Sequence, residues 1–148
     1  MSTPVIIEAA INGATTKDVN PHVPIEPAEI AADALAAFEA GASIVHAHSG
    51  GLRGGDGAAV AQRYLEAFEP VWQQRPGALI YPTVNYGRDG VDMEHLIIMR
   101  RHGLRLGPLD PGSINLGGVD EAGVPVGRFV YKNSFASLVT NIAAHAEH

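Results

Sequence analysis

Apolar residues recur along this chain in two alternating patterns. Short β-branched or aromatic runs, Val5-Ile6-Ile7-Glu8-Ala9-Ala10, Ser43 to His48 and Ala78-Leu79-Ile80-Tyr81-Pro82-Thr83, predict buried strands. Longer segments with helical spacing separate them. Pro27 to Ala40 carries Ile30, Ala34, Leu35 and Phe38 on one stripe, with proline in its first turn and Gly41 as its stop. Ala58 to Gln74 repeats the pattern with Val60, Tyr64, Leu65, Phe68, Val71 and Trp72, ended by Arg75-Pro76-Gly77. Val91 to Arg101 predicts a third helix, with Met93, Leu96, Ile97 and Met99 or Arg100 sharing its faces. Gly112 to Gly117 predicts a fourth strand, Gly118 to Gly127 a glycine-rich excursion and Phe129-Val130-Tyr131 a short extended piece. Ser134 to Ala146 then predicts a last helix capped by Asn133 or Ser134. Turn and loop chemistry fills the gaps: Asn12-Gly13, the proline-rich Asn20 to Pro24, and Ser49 to Gly57, whose five glycines make it mobile unless a ligand or partner orders it.

The order is βαβαβαβα, which argues for an α/β protein with a parallel sheet, right-handed crossovers and function at the carboxyl ends of the strands. Four βα units are half of a TIM (β/α)8 barrel, and an open four-stranded sheet is the alternative. A doubly wound sheet would place Gly-x-Gly-x-x-Gly after the first strand, where it is missing. No repeat, linker or low-complexity tract divides residues 1–148, so a single domain is expected. Half a barrel leaves strand edges and interior side chains uncovered, which predicts association.

Composition narrows the function. Ten Lys and Arg against sixteen Asp and Glu give a net charge of −6, with no electrostatic footprint for nucleic acid or an anionic membrane. Cysteine is absent, so disulfides and thiolate metal sites are excluded and any metal must be held by His and carboxylates. No run approaches the ~18 apolar residues of a membrane span, and Met1-Ser2-Thr3-Pro4 lacks the regions of a signal peptide. A cytoplasmic location is expected.

His46-Ala47-His48, at the end of the second strand, is the main candidate for chemistry. Strand alternation puts both imidazoles on one face, about 7 Å apart at the backbone. Neutral imidazole suits zinc and its neighbours, and catalytic zinc commonly takes three protein ligands and leaves a fourth position open. Glu8, in the first strand, reads either as a ligand or acid/base facing an interior or as a buried carboxylate paired with an arginine. His22 reads as a capping or packing residue, and His95, His102, His145 and His148 as helix-surface residues. Arg100, Arg101 and Arg105 form a solvated basic face, and Asp110-Pro111-Gly112 a structural turn. Thr83, Ser113 and Asn115 are polar groups at strand ends, where satisfying the backbone is the plain alternative to binding.

Several segments together resemble the beta-keto acid cleavage enzymes, whose best-known activity is 3-keto-5-aminohexanoate cleavage. They are Ala10-Ile11-Asn12-Gly13-Ala14, Asn20-Pro21-His22-Val23-Pro24-Ile25 with Pro27-Ala28-Glu29-Ile30-Ala31, Ala40-Gly41-Ala42-Ser43-Ile44-Val45-His46-Ala47-His48, Asp110-Pro111-Gly112-Ser113-Ile114-Asn115-Leu116-Gly117, and Phe129-Val130-Tyr131-Lys132-Asn133. The resemblance implies a TIM barrel with zinc at its carboxyl-end face and a reaction of a beta-keto acid with acetyl-CoA that gives acetoacetate and a new CoA thioester. It implies zinc ligation by His46 and His48 and substrate binding by Thr83, Ser113, Asn115 and Thr15. Thr15 stands where the family often has an acidic residue, and Val84-Asn85-Tyr86-Gly87 stands where a glycine-rich loop is usual, which implies a different substrate preference. The third zinc ligand, a glutamate, and the catalytic arginine and acidic partners belong to the family's second half, so no catalytic residue is assigned within this chain. The expected partners are a small beta-keto acid and either a second copy of the chain or a separate C-terminal half. Two other readings compete: a non-catalytic metal-binding or interaction protein, and a metallohydrolase of the amidohydrolase kind, whose His-x-His normally ends the first strand rather than the second.

Overall fold

A computed structural model describes residues 3–50, 56–87 and 90–146. Strands β1 (Glu8–Ala10), β2 (Ile44–Ala47) and β3 (Leu79–Pro82) form a parallel sheet in that spatial order, linked by helices α1 (Pro27–Glu39) and α2 (Gly57–Gln74). Ala10 pairs with His46 and His46 with Tyr81, so these residues form one row across the sheet. Alternation then sorts the two faces. Val45, Ala47 and Ile80 turn toward the helices and are buried with Ile30, Ala34, Tyr64, Phe68, Val71 and Leu96. Glu8, Ile44, His46, Leu79 and Tyr81 lie on the opposite face, which no helix covers, and all of them stay half-buried or exposed.

The sheet and its helical layer follow the sequence periods closely. Pro27 opens α1 as expected, and Glu29 in its first turn accepts hydrogen bonds from the backbone N–H of Ile25 and Glu26. Asp56 caps α2 by accepting from Ala58 N at 3.2 Å. The first strand is shorter than the apolar run: Val5, Ile6 and Ile7 are exposed, and pairing starts at Glu8.

Three differences from the expected order lie further along. Val84-Asn85-Tyr86-Gly87 is part of a hairpin, with β4 (Asn85–Gly87) antiparallel to β5 (Gly90–Asp92). That hairpin takes Val91 and Asp92 out of the third helix, so α3 runs only over Glu94–Arg100, its first N–H capped by the Asp92 carboxylate. The predicted fourth parallel strand is likewise corrected. Ile114–Val119 forms β6, which pairs antiparallel with β7 (Pro125–Tyr131) and not with the three-stranded sheet. The glycines of this stretch explain the error. A Cβ at Gly117 would overlap the carbonyl oxygen of Val126, so the glycine permits a close, irregular strand pairing rather than ending a strand.

The hairpin docks on β4 through Tyr86, whose hydroxyl donates to Val130 O at 2.9 Å and accepts from Lys132 N at 3.0 Å. Helix α4 (Phe135–Ala146) follows and is tied to α3 by Arg100, which donates to Ala144 O. The described chain is thus a mixed α/β structure with a three-stranded parallel sheet and four helices. No described helix is long and apolar enough to cross a membrane.

Candidate functional site

The carboxyl ends of β2 and β3, together with the turn after β1, converge on one place. His46 and His48 stand edge to face with ring centroids 5.1 Å apart, and His46 lies against the Tyr81 ring at 4.6 Å. Tyr81 in turn donates to Glu8 Oε1 at 2.5 Å. Glu8 is therefore exposed and paired with a tyrosine, which corrects the alternative of a buried carboxylate held by an arginine. Burial pushes the His46 imidazole pKa below its ordinary value, against the opposing effect of the Tyr81 backbone and the Glu8 and Asp110 carboxylates. Tyr81 is pushed up to about 12, first by burial and then by its bond to Glu8. The ground state thus favours a neutral imidazole and a protonated phenol at pH 7.

His48 owes its position to Asn12, which the sequence marks only as a turn residue. The Asn12 amide donates to His48 O at 2.7 Å and to Pro24 O at 2.9 Å, while its oxygen accepts from His48 N at 2.8 Å. One buried amide thereby locks the end of β2 to the turn after β1. Ser49 is held from the other side, its N–H by the Tyr64 hydroxyl at 3.0 Å and its carbonyl by Arg63 Nε at 2.8 Å. Behind β3, His95 Nε2 bonds Thr83 O at 2.8 Å and its ring stacks on Tyr64 at 6.0 Å. His95 is 0% exposed, so its expected place on a helix surface is corrected. Helix α3 begins at Glu94, which turns position 95 toward α2 rather than toward solvent.

A cavity of about 580 Å³ opens beside these residues, with Thr15, His48, Thr83, Tyr86, Phe129 and Tyr131 among its lining. This brings together the turn after β1, both strand ends and the β6–β7 hairpin. Ser113 and Asn115 are not among its described lining residues. Ser113 precedes β6, and its Oγ accepts from Asn133 N at 2.8 Å and donates to Asn133 O at 3.2 Å. Asn115 sits exposed within β6, opposite Val130. His22 is exposed in its loop, where its backbone N–H donates to Asn20 Oδ1 at 3.0 Å. The glycine-rich loop after β2 lies mostly outside the described residues, at 51–55. Asp110 is more than a turn residue, since it accepts from the Tyr131 hydroxyl and its charge acts on His46.

The histidine pair suits a metal in donor chemistry and spacing: adjacent imidazoles end one strand, and Nδ1 of His46 is buried with no hydrogen-bond partner. No third His, Cys, Asp or Glu joins them among the described residues.

The polar groups of the site gather at the carboxyl ends of parallel strands. The chain belongs to the beta-keto acid cleavage enzyme family, whose model matches residues 4–148. It is 36% identical over 121 residues to the 3-keto-5-aminohexanoate cleavage enzyme of Fusobacterium nucleatum, covering 80% of this chain and 43% of that protein. It is 34% identical over 118 residues to the enzyme of the same name from Acetoanaerobium sticklandii, covering 76% of this chain and 41% of that one. The matched region thus spans less than half the length of these relatives, and the resemblance read from the His-x-His strand and its companion segments is borne out.

Tyr81 carried a readable signal, because it falls in step with His46 once the strands are aligned. Asn12 and His95 carried none, since both act through backbone atoms distant in sequence.

Proposed function

We propose that this chain forms the N-terminal, metal-holding half of a TIM-barrel beta-keto acid cleavage site. The observation that carries the proposal is that His48, Thr83 and Thr15 open onto one cavity while His46 and His48 share the uncovered face of the sheet. In this reading the uncovered face is the barrel interior, and a second half-barrel, from another copy or a separate chain, completes it. That half would contribute the remaining metal ligand and the acid/base groups.

The reaction is a transfer between a beta-keto acid and acetyl-CoA in a cytoplasmic setting. The bond between the keto carbon and the carboxymethyl carbon breaks, the carboxymethyl group joins the acetyl carbon as acetoacetate, and the CoA thiolate takes the remaining acyl group. His46 and His48 would hold zinc, which when bound supplies Lewis-acid polarisation of the keto oxygen. Thr83 offers a hydroxyl to the substrate carboxylate, and the Thr83 backbone is fixed by His95 so that this hydroxyl is presented at a set position. Asn12 fixes His48 in the same way.

Native mass spectrometry combined with an acetoacetate assay tests this. Zinc at one per chain in a defined oligomer, lost in His46→Ala and His48→Ala, with acetoacetate formed from a beta-keto acid and acetyl-CoA, supports the proposal. Stoichiometric zinc without turnover in any assembly favours a non-catalytic metal-binding protein. Zinc binding unchanged in both variants overturns the metal assignment.

A further inference from the structure

Resting on the beta-keto acid reading, we infer that the cavity selects an acid whose tail beyond the keto group is uncharged and apolar. Three rings cluster in the cavity lining: Tyr86 lies 5.4 Å from Phe129 and 5.7 Å from Tyr131, centroid to centroid. Both tyrosine hydroxyls are already engaged within the protein. Tyr86 donates to Val130 O and accepts from Lys132 N, and Tyr131 donates to Asp110. What these residues offer a ligand is therefore ring surface, and Phe129 and Leu116 present apolar surface that is 49% and 46% exposed. Val84, Ile25 and Val60 extend the same lining.

Among the described residues this lining carries no Asp, Glu, Lys or Arg, and position 15 in it is a threonine. Carboxylates beside the lining residues have partners within the protein: Glu8 accepts from Tyr81, Asp110 from Tyr131, and Asp92 from Asn85 and from the N–H of Glu94. The ring faces attract an ammonium, but without a counter-ion that attraction falls short of the hydration the ammonium loses on entering, whereas a hydrocarbon tail gains by covering the exposed rings. The volume of about 580 Å³ is ample for an acyl chain of several carbons or a phenyl group.

The test uses two acids that differ only by the amino group, 3-ketohexanoate and 3-keto-5-aminohexanoate, titrated by calorimetry into the zinc-loaded chain at pH 7. The inference expects the uncharged acid to bind about tenfold or more tightly. Phe129→Ala weakens 3-ketohexanoate by about tenfold and Phe129→Leu restores most of the loss. Thr15→Glu moves the preference toward the aminated acid without touching the rings. Circular dichroism of each variant confirms that the fold is retained. Equal or tighter binding of the aminated acid, or an unchanged preference in Phe129→Ala, overturns the inference while leaving the function intact. Binding of neither acid removes the function itself and the inference with it.

Discussion

Phe68 and Phe135 are the same residue on two helices of one chain, yet one is 0% and the other 88% exposed. The difference divides the molecule. Helices α1, α2 and α3 close over one face of the parallel sheet and bury a continuous core. The β6–β7 hairpin and α4 leave Phe135, Val139 and Ile142 uncovered at positions i, i+4 and i+7 along one helical stripe. An amphipathic helix with its apolar stripe in solvent is incomplete as a packing unit, just as the uncovered face of the sheet is. The uncovered sheet face carries the histidine pair, whereas α4 is tied to α3 through Arg100; on the proposed half-barrel reading, both open surfaces would be covered by the second half.

The largest effects belong to the closed region. Phe68→Ala is expected to cost about 3–5 kcal/mol, because a fully enclosed ring leaves a cavity that its neighbours only partly refill. Phe135→Ala is expected to stay within about 0.5 kcal/mol. Urea denaturation followed by far-ultraviolet circular dichroism measures both. A cost for Phe135→Ala approaching that of Phe68→Ala breaks the comparison, since it means that α4 is covered in solution.

Asn12→Ala acts at the joint between the sheet and the site. It strands the N–H and carbonyl of His48 and the carbonyl of Pro24, with an expected cost of about 1–3 kcal/mol. Because the same amide orients a proposed zinc ligand, affinity for zinc should fall by about 10–100-fold. Asn12→Asp keeps the acceptor for His48 N but sets a buried carboxylate oxygen against the carbonyls of His48 and Pro24, so it should cost at least as much as alanine in both measurements. An Asn12→Ala protein with normal stability and normal zinc affinity would separate the clamp from the site.

Acid offers a gentler probe of the closed region. Burial lowers the pKa of His95, against its bond to the Thr83 backbone and the Asp92 charge. The unfolded chain then binds a proton more readily than the folded one as pH drops below the ordinary histidine value of about 6.5. Stability is therefore full above that value and declines toward the lowered folded pKa, by at most about 1.4 kcal/mol per pH unit for one proton. His46 shifts in the same direction from its own burial. His95→Gln should flatten part of this decline in urea titrations between pH 7 and 5, and an unchanged slope would assign the acid sensitivity elsewhere.

How much was legible in the sequence follows the same division. Where residues met a single partner layer, period and side chain agreed, and β2, β3, α1 and α2 fell within a residue or two of the pattern. Tyr86 and Val91 read as loop and helix because a three-residue strand paired across a tight turn has too few positions to show alternation. Ile114 to Val119 does alternate, but period alone does not say whether a strand's neighbour is parallel or antiparallel. The apolar run Ser43 to His48 placed the histidines on a strand end, as the structure has them, and Asn12 lies in a segment of the family resemblance. Neither pattern showed the roles of His95 and Asn12, which depend on backbone groups brought near only by folding.

The smallest effect on stability should come with the clearest effect on assembly. Val139 is 69% exposed in the middle of the α4 stripe, between Phe135 and Ile142. Val139→Asp replaces a methyl pair with a charge that water solvates fully in the isolated chain, so the change should stay within about 0.5 kcal/mol in dilute denaturation experiments. Against a partner surface the same carboxylate would be desolvated without a counter-charge, a penalty of several kcal/mol that dissociates a complex. Sedimentation velocity over a hundredfold concentration range reads the outcome. Association by wild type that is lost in Val139→Asp makes the α4 stripe the seam between copies of the chain. Association that survives the substitution moves the seam to the uncovered sheet face, where Ile44 and Leu79 flank the histidines.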